Sequence, residues 1–203
     1  MIMFFDVETN GFIKDMKQPI TNVDNFPRVT QLAYAVYERT GELVMRDSSL
    51  IKPDGWTVPK EKFFIEHGHS TERCEQYGIP AAEAFGNFVD VLGKVDVMVA
   101  HNMDFDSRVV GCEMYRLGLK ADKKVKFCTM LKSTEILRIP NRNKHRYPGE
   151  FKWPNLQETH NFFLGNNFED GHDAMADVYA CARIFFEMVK RGHILLLQKD
   201  EIM

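Results

Sequence analysis

The first twelve residues constrain the fold more than any other stretch, because an apolar run leads directly into two acidic side chains. Residues 1–5 are apolar, Asp6 and Glu8 follow with Val7 between them, and Asn10-Gly11 is a turn signal. A short apolar run that ends at Asn-Gly is typical of a buried strand in the middle of a sheet. Because side chains alternate along a strand, Asp6 and Glu8 are expected on one face and Val7 on the other.

Asp6 and Glu8 would be costly neighbours at the end of a buried strand. Two adjacent carboxylates repel each other and lose hydration there. A divalent cation between them removes both costs, and Mg²⁺ or Mn²⁺ is favoured because hard ions prefer carboxylate oxygens. The alternative is a strand end that dips into solvent, where acidic residues are common. This stretch alone leaves both interpretations open.

The composition is that of a globular protein. The chain has 203 residues, of which 44% are hydrophobic and 27% charged, and this predicts one domain spanning residues 1–203. No apolar run approaches the roughly 20 residues that span a bilayer, and no basic region of a signal peptide precedes the first apolar run. The four cysteines are scattered without a C-x-x-C pair, which argues against a zinc site or a disulfide framework. We therefore expect a cytoplasmic protein with no membrane partner.

The rest of the chain predicts a mixed α/β domain with one sheet. Residues 13–28 are polar and form a loop, and residues 60–80 show no periodicity and are expected to be irregular. Elsewhere strands and helices are indicated by their periods of two and 3.6. The predicted strands are 29–38, 43–51, 95–100 and 126–128, and the predicted helices are 81–92, one from within 101–106 to 117, 129–137, 156–163 and 174–190.

Acidic residues recur where these elements should meet. In sheets of this type, functional residues gather at the carboxyl ends of the strands. Asp6 and Glu8 end the first strand, residues 101–106 follow a later one, and the last helix, which carries Asp177, can pack across the same edge. The sequence therefore predicts one acidic site at this edge.

Three separated motifs resemble those of the DnaQ-like 3′–5′ exonucleases of the DEDDh type. The motifs are Asp6-Val-Glu8-Thr9, His101-Asn-x-x-Phe-Asp106 and His172-Asp-Ala-x-x-Asp177. The family includes proofreading subunits of bacterial replicative polymerases, ribonuclease T and the TREX enzymes. The resemblance covers nearly the whole chain, although the family usually has Thr where this chain has Asn10. It implies a ribonuclease H-like mixed sheet with helices on both faces.

The resemblance also implies a chemistry for five residues. Asp6, Glu8, Asp106 and Asp177 would hold two Mg²⁺ or Mn²⁺ ions, which stabilise the attacking and leaving oxygens of an in-line displacement. His172 would accept the proton of the attacking water, since the pKa of histidine lies near neutrality. Asp104 competes with Asp106, but two residues apart on a helix they point in different directions, and the motif selects Asp106. Asp173 is expected to be a solvated helix cap.

Several other residues are candidates for contact with the substrate. Thr9 and Phe12 follow the acidic strand, where the family holds the terminal nucleotide. Phe12 could stack on the last base, or it could be an ordinary core residue. Asn102 could contact the substrate, although shaping the turn is favoured, and His101 is expected to be structural.

Two further segments carry weaker signals. His67 and His69 lie in a segment slightly like the family's His-Gly loop, and a surface loop is the favoured interpretation. The stretch 138–153 is basic and aromatic and is the best candidate for a nucleic-acid track, with a solvated loop as the alternative. Its cations include Arg142, Lys144 and Arg146. The formal net charge of −3 lacks the basic signature usual for nucleic-acid binding, but it does not exclude such a track, because an acidic metal site masks local basic patches.

The motifs favour a metal-dependent 3′–5′ exonuclease that acts on single-stranded or frayed ends, with DNA preferred, and releases nucleoside 5′-monophosphates. A 3′ exoribonuclease of the same fold and a non-catalytic nucleic-acid-binding module are the alternatives. The sequence discriminates poorly between DNA and RNA, because contacts to the 2′-OH cannot be assigned from motifs. A DNA polymerase is a possible partner, and the oligomeric state is left open.

Overall fold

The structure, a computed structural model, describes residues 1–142, 149–169 and 171–196. Five strands form one sheet in the order β3-β2-β1-β4-β5. β1 pairs antiparallel with β2 and parallel with β4, so the sheet is mixed. The strands are β1 Ile2–Thr9, β2 Val29–Tyr37, β3 Leu43–Leu50, β4 Val97–Ala100 and β5 Val125–Cys128.

The described helices cover both faces of this sheet. They are α1 Lys62–Glu66, α2 Thr71–Tyr77, α3 Ala81–Leu92, α4 Met103–Arg116, α5 Thr129–Leu137, α6 Leu156–Leu164 and α7 Ala174–Lys190, with a short 3-10 helix at Val23–Asn25. This mixed sheet with helices on both faces confirms the predicted fold class. In the described ranges, no helix combines the length and apolar character that crossing a membrane requires.

β1 lies in the middle of the sheet because both of its faces are apolar. Met3 and Phe5 face α3 and α4, with the rings of Phe5 and Phe88 5.8 Å apart. Ile2 and Phe4 face α7, where the ring of Phe4 lies 5.3 Å from that of Phe185. The alternation of side chains thus gives β1 one hydrophobic core on each side.

The same alternation determines which face the acids take. Val7 continues the row of Met3 and Phe5 into the core beneath α3 and α4. Asp6 and Glu8 therefore continue the row of side chains that faces α7. The sequence predicted that they share a face, and only the structure shows which helix that face meets.

The expectation that residues 60–80 are irregular was wrong. They contain α1 and α2, and the Ser70 side chain accepts a hydrogen bond from the backbone of Arg73 to cap α2. Both helices are shorter than the window in which helical periodicity can be recognised, so packing and, in α2, the Ser70 cap determine them rather than periodicity. The correction matters because the segment between α1 and α2 contacts the candidate site.

Candidate functional site

Three carboxylates converge where β1 ends against the first turn of α7. Asp6 and Glu8 come from β1, and Asp177 lies in the first turn of α7. One potential ligand atom from each of these residues lies within 4.8 Å of the others. Side chains from two elements far apart in sequence thus form one group, at the edge where the sequence predicted an acidic site.

Asp106 reaches the end of β1 along the edge that pairs with β4. β4 pairs with β1 only from Ile2 to Phe4, which leaves the later part of β1 open along that edge. The carboxylate of Asp106, in the first turn of α4, accepts a hydrogen bond from the backbone of Val7 there and is 4% exposed. Asp104 is exposed and pairs with Arg108 at 3.2 Å, so it points away from the site. The tight group defined by 4.8 Å contains the other three acids but not Asp106.

Burial and, after it, the charges of neighbouring acids raise the pKa values of the four acids. Burial raises the pKa of Asp6 well above its usual range, and the charges of Asp106 and Asp177 raise it further. Burial and then the charge of Asp6 raise the pKa of Glu8 to about 9. Burial raises the pKa of Asp177 to about 7. Burial also raises the pKa of Asp106. The cluster is therefore costly as a set of charges without a cation.

The donor set fits a hard divalent cation. All three residues of the tight group offer carboxylate oxygens, the ligands that such ions prefer. In the described part of the chain, Oδ1 of Asp177 is buried without a hydrogen-bond partner. A buried carboxylate oxygen without a partner is costly in a protein alone, and a cation would satisfy it.

His172 lies immediately before α7, with an unusual backbone. Its φ is +74°, in the left-handed region that residues other than glycine rarely adopt. Its backbone hydrogen-bonds the carboxylate of Asp177, which ties the residue to the acids. The ring packs against His67, with ring centroids 4.2 Å apart, and against Phe63 at 5.2 Å. Loss of hydration lowers the pKa of His172, and His67 and His69 lower it further.

Side chains that the sequence analysis did not select fix the start of α7. Asp173 caps this helix by accepting hydrogen bonds from Met175 and Ala176, as predicted, but it is half-buried rather than fully solvated. Gln31 on β2, buried and opposite Glu8 in the strand register, donates to Asp173 at 3.1 Å and accepts from Ala174 at 3.3 Å. Nothing in the local sequence identifies Gln31, because its partners lie about 140 residues away.

His69 is a second residue that sequence reasoning missed. It was expected in a surface loop, but it is buried, and its Nε2 lies 3.0 Å from the backbone carbonyl oxygen of His172. The same nitrogen lies 3.8 Å from Oε2 of Glu8. The weak likeness of residues 67–69 to a His-Gly loop was the only sequence signal for this position.

The structure places the other predicted residues as follows. Thr9 is half-buried, and its hydroxyl donates to the carbonyl of Gly11 at 2.7 Å. Phe12 is 84% exposed, which excludes the core alternative and leaves the ring free to stack. Asn102 has a φ of +83° at the start of α4, which agrees with a role in the turn. His101 is structural as expected, since its Nε2 donates to the carbonyl of Pro154 at 3.0 Å.

The basic stretch 138–153 is only partly described. Arg142 is exposed, whereas Lys144 and Arg146 lie outside the described residues. Lys152 pairs with Glu158 at 2.5 Å, within the capping box that begins α6, so this cation serves the fold. Arg138 lies over the ring of Phe151 at 5.8 Å.

Comparisons with known proteins identify the fold. No family model and no curated protein matches the chain. Solved structures of exonuclease I from E. coli do match. A zinc-bound form in complex with single-stranded DNA has a TM-score of 0.71 at 17% identity over 94% of this chain. A complex with a dT13 oligonucleotide has a TM-score of 0.69 at 19% identity over 93% of this chain.

The likeness covers most of this chain but less than half of the similar structures. The chain spans 40% of the length of each of these two structures. At identities below 20% the likeness shows the fold, a ribonuclease H-like mixed sheet with helices on both faces, which confirms the expectation from the sequence. The activity and substrates of exonuclease I are not transferred by the fold alone.

Proposed function

We propose that this chain is a metal-dependent 3′–5′ exonuclease that removes nucleotides from single-stranded or frayed 3′ ends, with DNA preferred, and releases nucleoside 5′-monophosphates. The observation that carries the proposal is the convergence of Asp6, Glu8 and Asp177 within 4.8 Å on a fold shared with exonuclease I. Asp106 and His172 border this group from α4 and from the residue before the cap of α7. The proposed domain spans residues 1–203.

Four acids would hold two Mg²⁺ or Mn²⁺ ions. Asp6 interacts with all three other acids, since the charges of Asp106 and Asp177 raise its pKa and its own charge raises that of Glu8. When bound, such ions would lower the pKa of water and stabilise the charge that develops on the leaving 3′ oxygen. The high pKa values of the acids reflect burial first and then repulsion between their charges, and a cation would offset both.

The remaining roles belong to side chains near the cluster. His172, with a lowered pKa, would be neutral near pH 7 and able to accept the proton of the attacking water. Its ring contacts His67 in this structure. Phe12 would stack on the terminal base, while Thr9 and Asn102 would shape the backbone that contacts the terminal nucleotide.

The preference for DNA is supported by the similar structures that hold dT13 and dA16 oligonucleotides. The exoribonuclease and the binding module are outcomes of the test rather than parts of the proposal. The similar structures give no support to a polymerase partner, and the cytoplasmic location stays a prediction.

The proposal is tested with 5′-labelled single-stranded DNA and RNA in Mg²⁺, Mn²⁺ or EDTA. We expect a ladder that shortens from the 3′ end, requires a divalent ion, and is lost in Asp6→Ala and His172→Ala. Asp104→Asn is the matched control, because this exposed acid points away from the site and should retain activity. A ladder on RNA but not DNA would support the exoribonuclease, and binding without cleavage under any metal would support the binding module.

A further inference from the structure

We propose that His69 is a positioning residue that holds the backbone of His172 beside the acidic cluster. The inference rests on the proposed function, in which His172 accepts a proton. His69 does not itself touch the reacting atoms in this proposal. It acts through the residue whose carbonyl it binds.

In the hydrogen bond between His69 and His172, the donor and the acceptor can be assigned. A carbonyl oxygen can only accept, so Nε2 of His69 must carry a proton and donate it across the 3.0 Å separation. Burial lowers the pKa of His69, which favours the neutral ring with one proton. The 3.8 Å from this nitrogen to Oε2 of Glu8 exceeds hydrogen-bond length, so the carbonyl is the main partner.

The backbone of His172 needs such a partner. A residue other than glycine remains at a φ of +74° only where its surroundings hold it there. On its amino side, the backbone hydrogen-bonds the carboxylate of Asp177. On its carbonyl side, it accepts from His69. The two bonds connect the backbone of His172 to α7 and to the segment between α1 and α2.

α1 and the residue that follows it also contact the ring of His172. His67 and Phe63 pack against this ring at 4.2 and 5.2 Å. Loss of the bond from His69 would let the backbone leave the left-handed region and would displace the ring relative to the acids. The carboxylates and Phe12 would stay in place, so the expected defect is in kcat rather than in KM.

Two substitutions separate the hydrogen bond from the volume of the side chain. His69→Leu removes the donor but fills similar space, and His69→Gln retains an Nε2–H donor. We expect kcat to fall about 10- to 100-fold in His69→Leu, as misplacement of a reacting group by about 1 Å does. KM should change less than about 2-fold, since the substrate-contacting residues are unaltered. His69→Gln should recover most of the lost kcat.

His160→Leu is the matched control. His160 is likewise buried and bonds a backbone carbonyl, that of Asn166 at 2.8 Å, but it lies on α6 rather than beside the acids. It should lower the Tm without lowering kcat at a temperature where the variant is folded. Equal losses of kcat in His69→Leu and His160→Leu, or no rescue by His69→Gln, would overturn the positioning role.

A readout that does not require activity separates this proposal from the proposed function. In ¹H–¹⁵N spectra, His69→Leu should shift the backbone amides of His172 and Asp173, whereas His160→Leu should not. If the wild-type protein cleaves nothing, the proposed function fails, and these spectra still decide whether His69 holds this backbone. Unchanged amides in His69→Leu would overturn the inference.

Discussion

The carboxylates at the end of β1 are held where burial and neighbouring charge raise their pKa values. Glu8 reaches a pKa of about 9 and Asp177 about 7. A carboxyl group whose pKa is raised by folding lowers the free energy of unfolding as pH rises from its unfolded-state pKa to its folded-state pKa. These carboxylates therefore lower the stability of the metal-free protein, and they do so at a site suited to bind cations.

Asp6→Asn should separate stability from activity. The amide removes an ionisable group whose ionisation is costly at this site, so we expect the metal-free protein to be stabilised at pH 8 by about 0.5–2 kcal/mol, as single stabilising substitutions are. Thermal unfolding in EDTA measures this as a higher Tm. Added Mn²⁺ should raise the Tm of the wild type more than that of the variant. Asp104→Asn should leave both responses unchanged, and a lower Tm for Asp6→Asn in EDTA would contradict the repulsion argument.

His101 gives the protein a pH-dependent loss of stability on the acid side. Burial lowers its pKa from 6.5 to about 4, so the unfolded chain binds its proton first as pH falls. Stability from this residue is present above pH 6.5 and is lost between about 6.5 and 4. The difference between the two pKa values corresponds to about 3 kcal/mol.

The measurement is urea unfolding of the wild type and His101→Asn at pH 7 and pH 4.5. The advantage of the wild type over the variant should shrink at the lower pH. A constant difference between wild type and His101→Asn would show that His101 does not titrate in this window.

At the scale of elements, the α1–α2 segment connects the edge of the sheet to the site. α2 ends at Gly78, where the backbone passes so close to its neighbours that an added Cβ would lie 2.3 Å from the carbonyl oxygen of Cys74. The same atom would lie 2.6 Å from the backbone nitrogen of Lys52. The φ of Gly78 is −77°, which suits any residue, so backbone strain does not explain the glycine. The close approach of neighbouring backbone does.

Gly78→Ala should therefore destabilise the protein by about 2–3 kcal/mol or more, as strain from overpacking does. Gly86→Ala is the matched control, because a Cβ there would have nothing within 4 Å and the residue lies inside α3. It should stabilise by about 0.5–1 kcal/mol. Urea unfolding of both variants measures the contrast, and equal effects of the two substitutions would contradict it.

At the scale of the whole molecule, the acids of the candidate site and a set of exposed lysines lie toward opposite edges of the sheet. The acids lie at the carboxyl ends of β1 and just beyond β4, and the basic stretch 138–153 follows α5. Lysines that precede β4 and β5 lie toward the opposite edge, because these strands run parallel to β1. They include Lys94, Lys120 and Lys123, all exposed.

Replacing Arg142, Lys144 and Arg146 together with glutamine should raise KM for long substrates. If all three contact phosphates, the slope of log K against log salt should weaken by about 2, at about 0.7 per contact with a single strand. The triple replacement of Lys94, Lys120 and Lys123 with glutamine removes the same charge from the other edge and should change neither quantity. Unchanged KM and slope in the first variant would remove this stretch from the binding surface.

The sequence was most informative where the pattern is local. The strand character of β1 and the placement of Asp6 and Glu8 on one face follow from periods and spacings of a few residues. The mixed sheet and its helices follow from the order of such segments. The motifs also selected Asp177, which the structure brings to Asp6 and Glu8 across about 170 residues of chain.

Only the tertiary structure decided which residues support that cluster. Gln31 binds the start of α7, and His69, expected on a surface loop, is buried against the backbone of His172. Their partners lie more than 100 residues away, so no local pattern carries the information. The sequence by itself determined the chemistry available at the end of β1, because that depends on residue types and alternation. The position of each acid and histidine depends on contacts that exist only once the sheet and α7 have packed together.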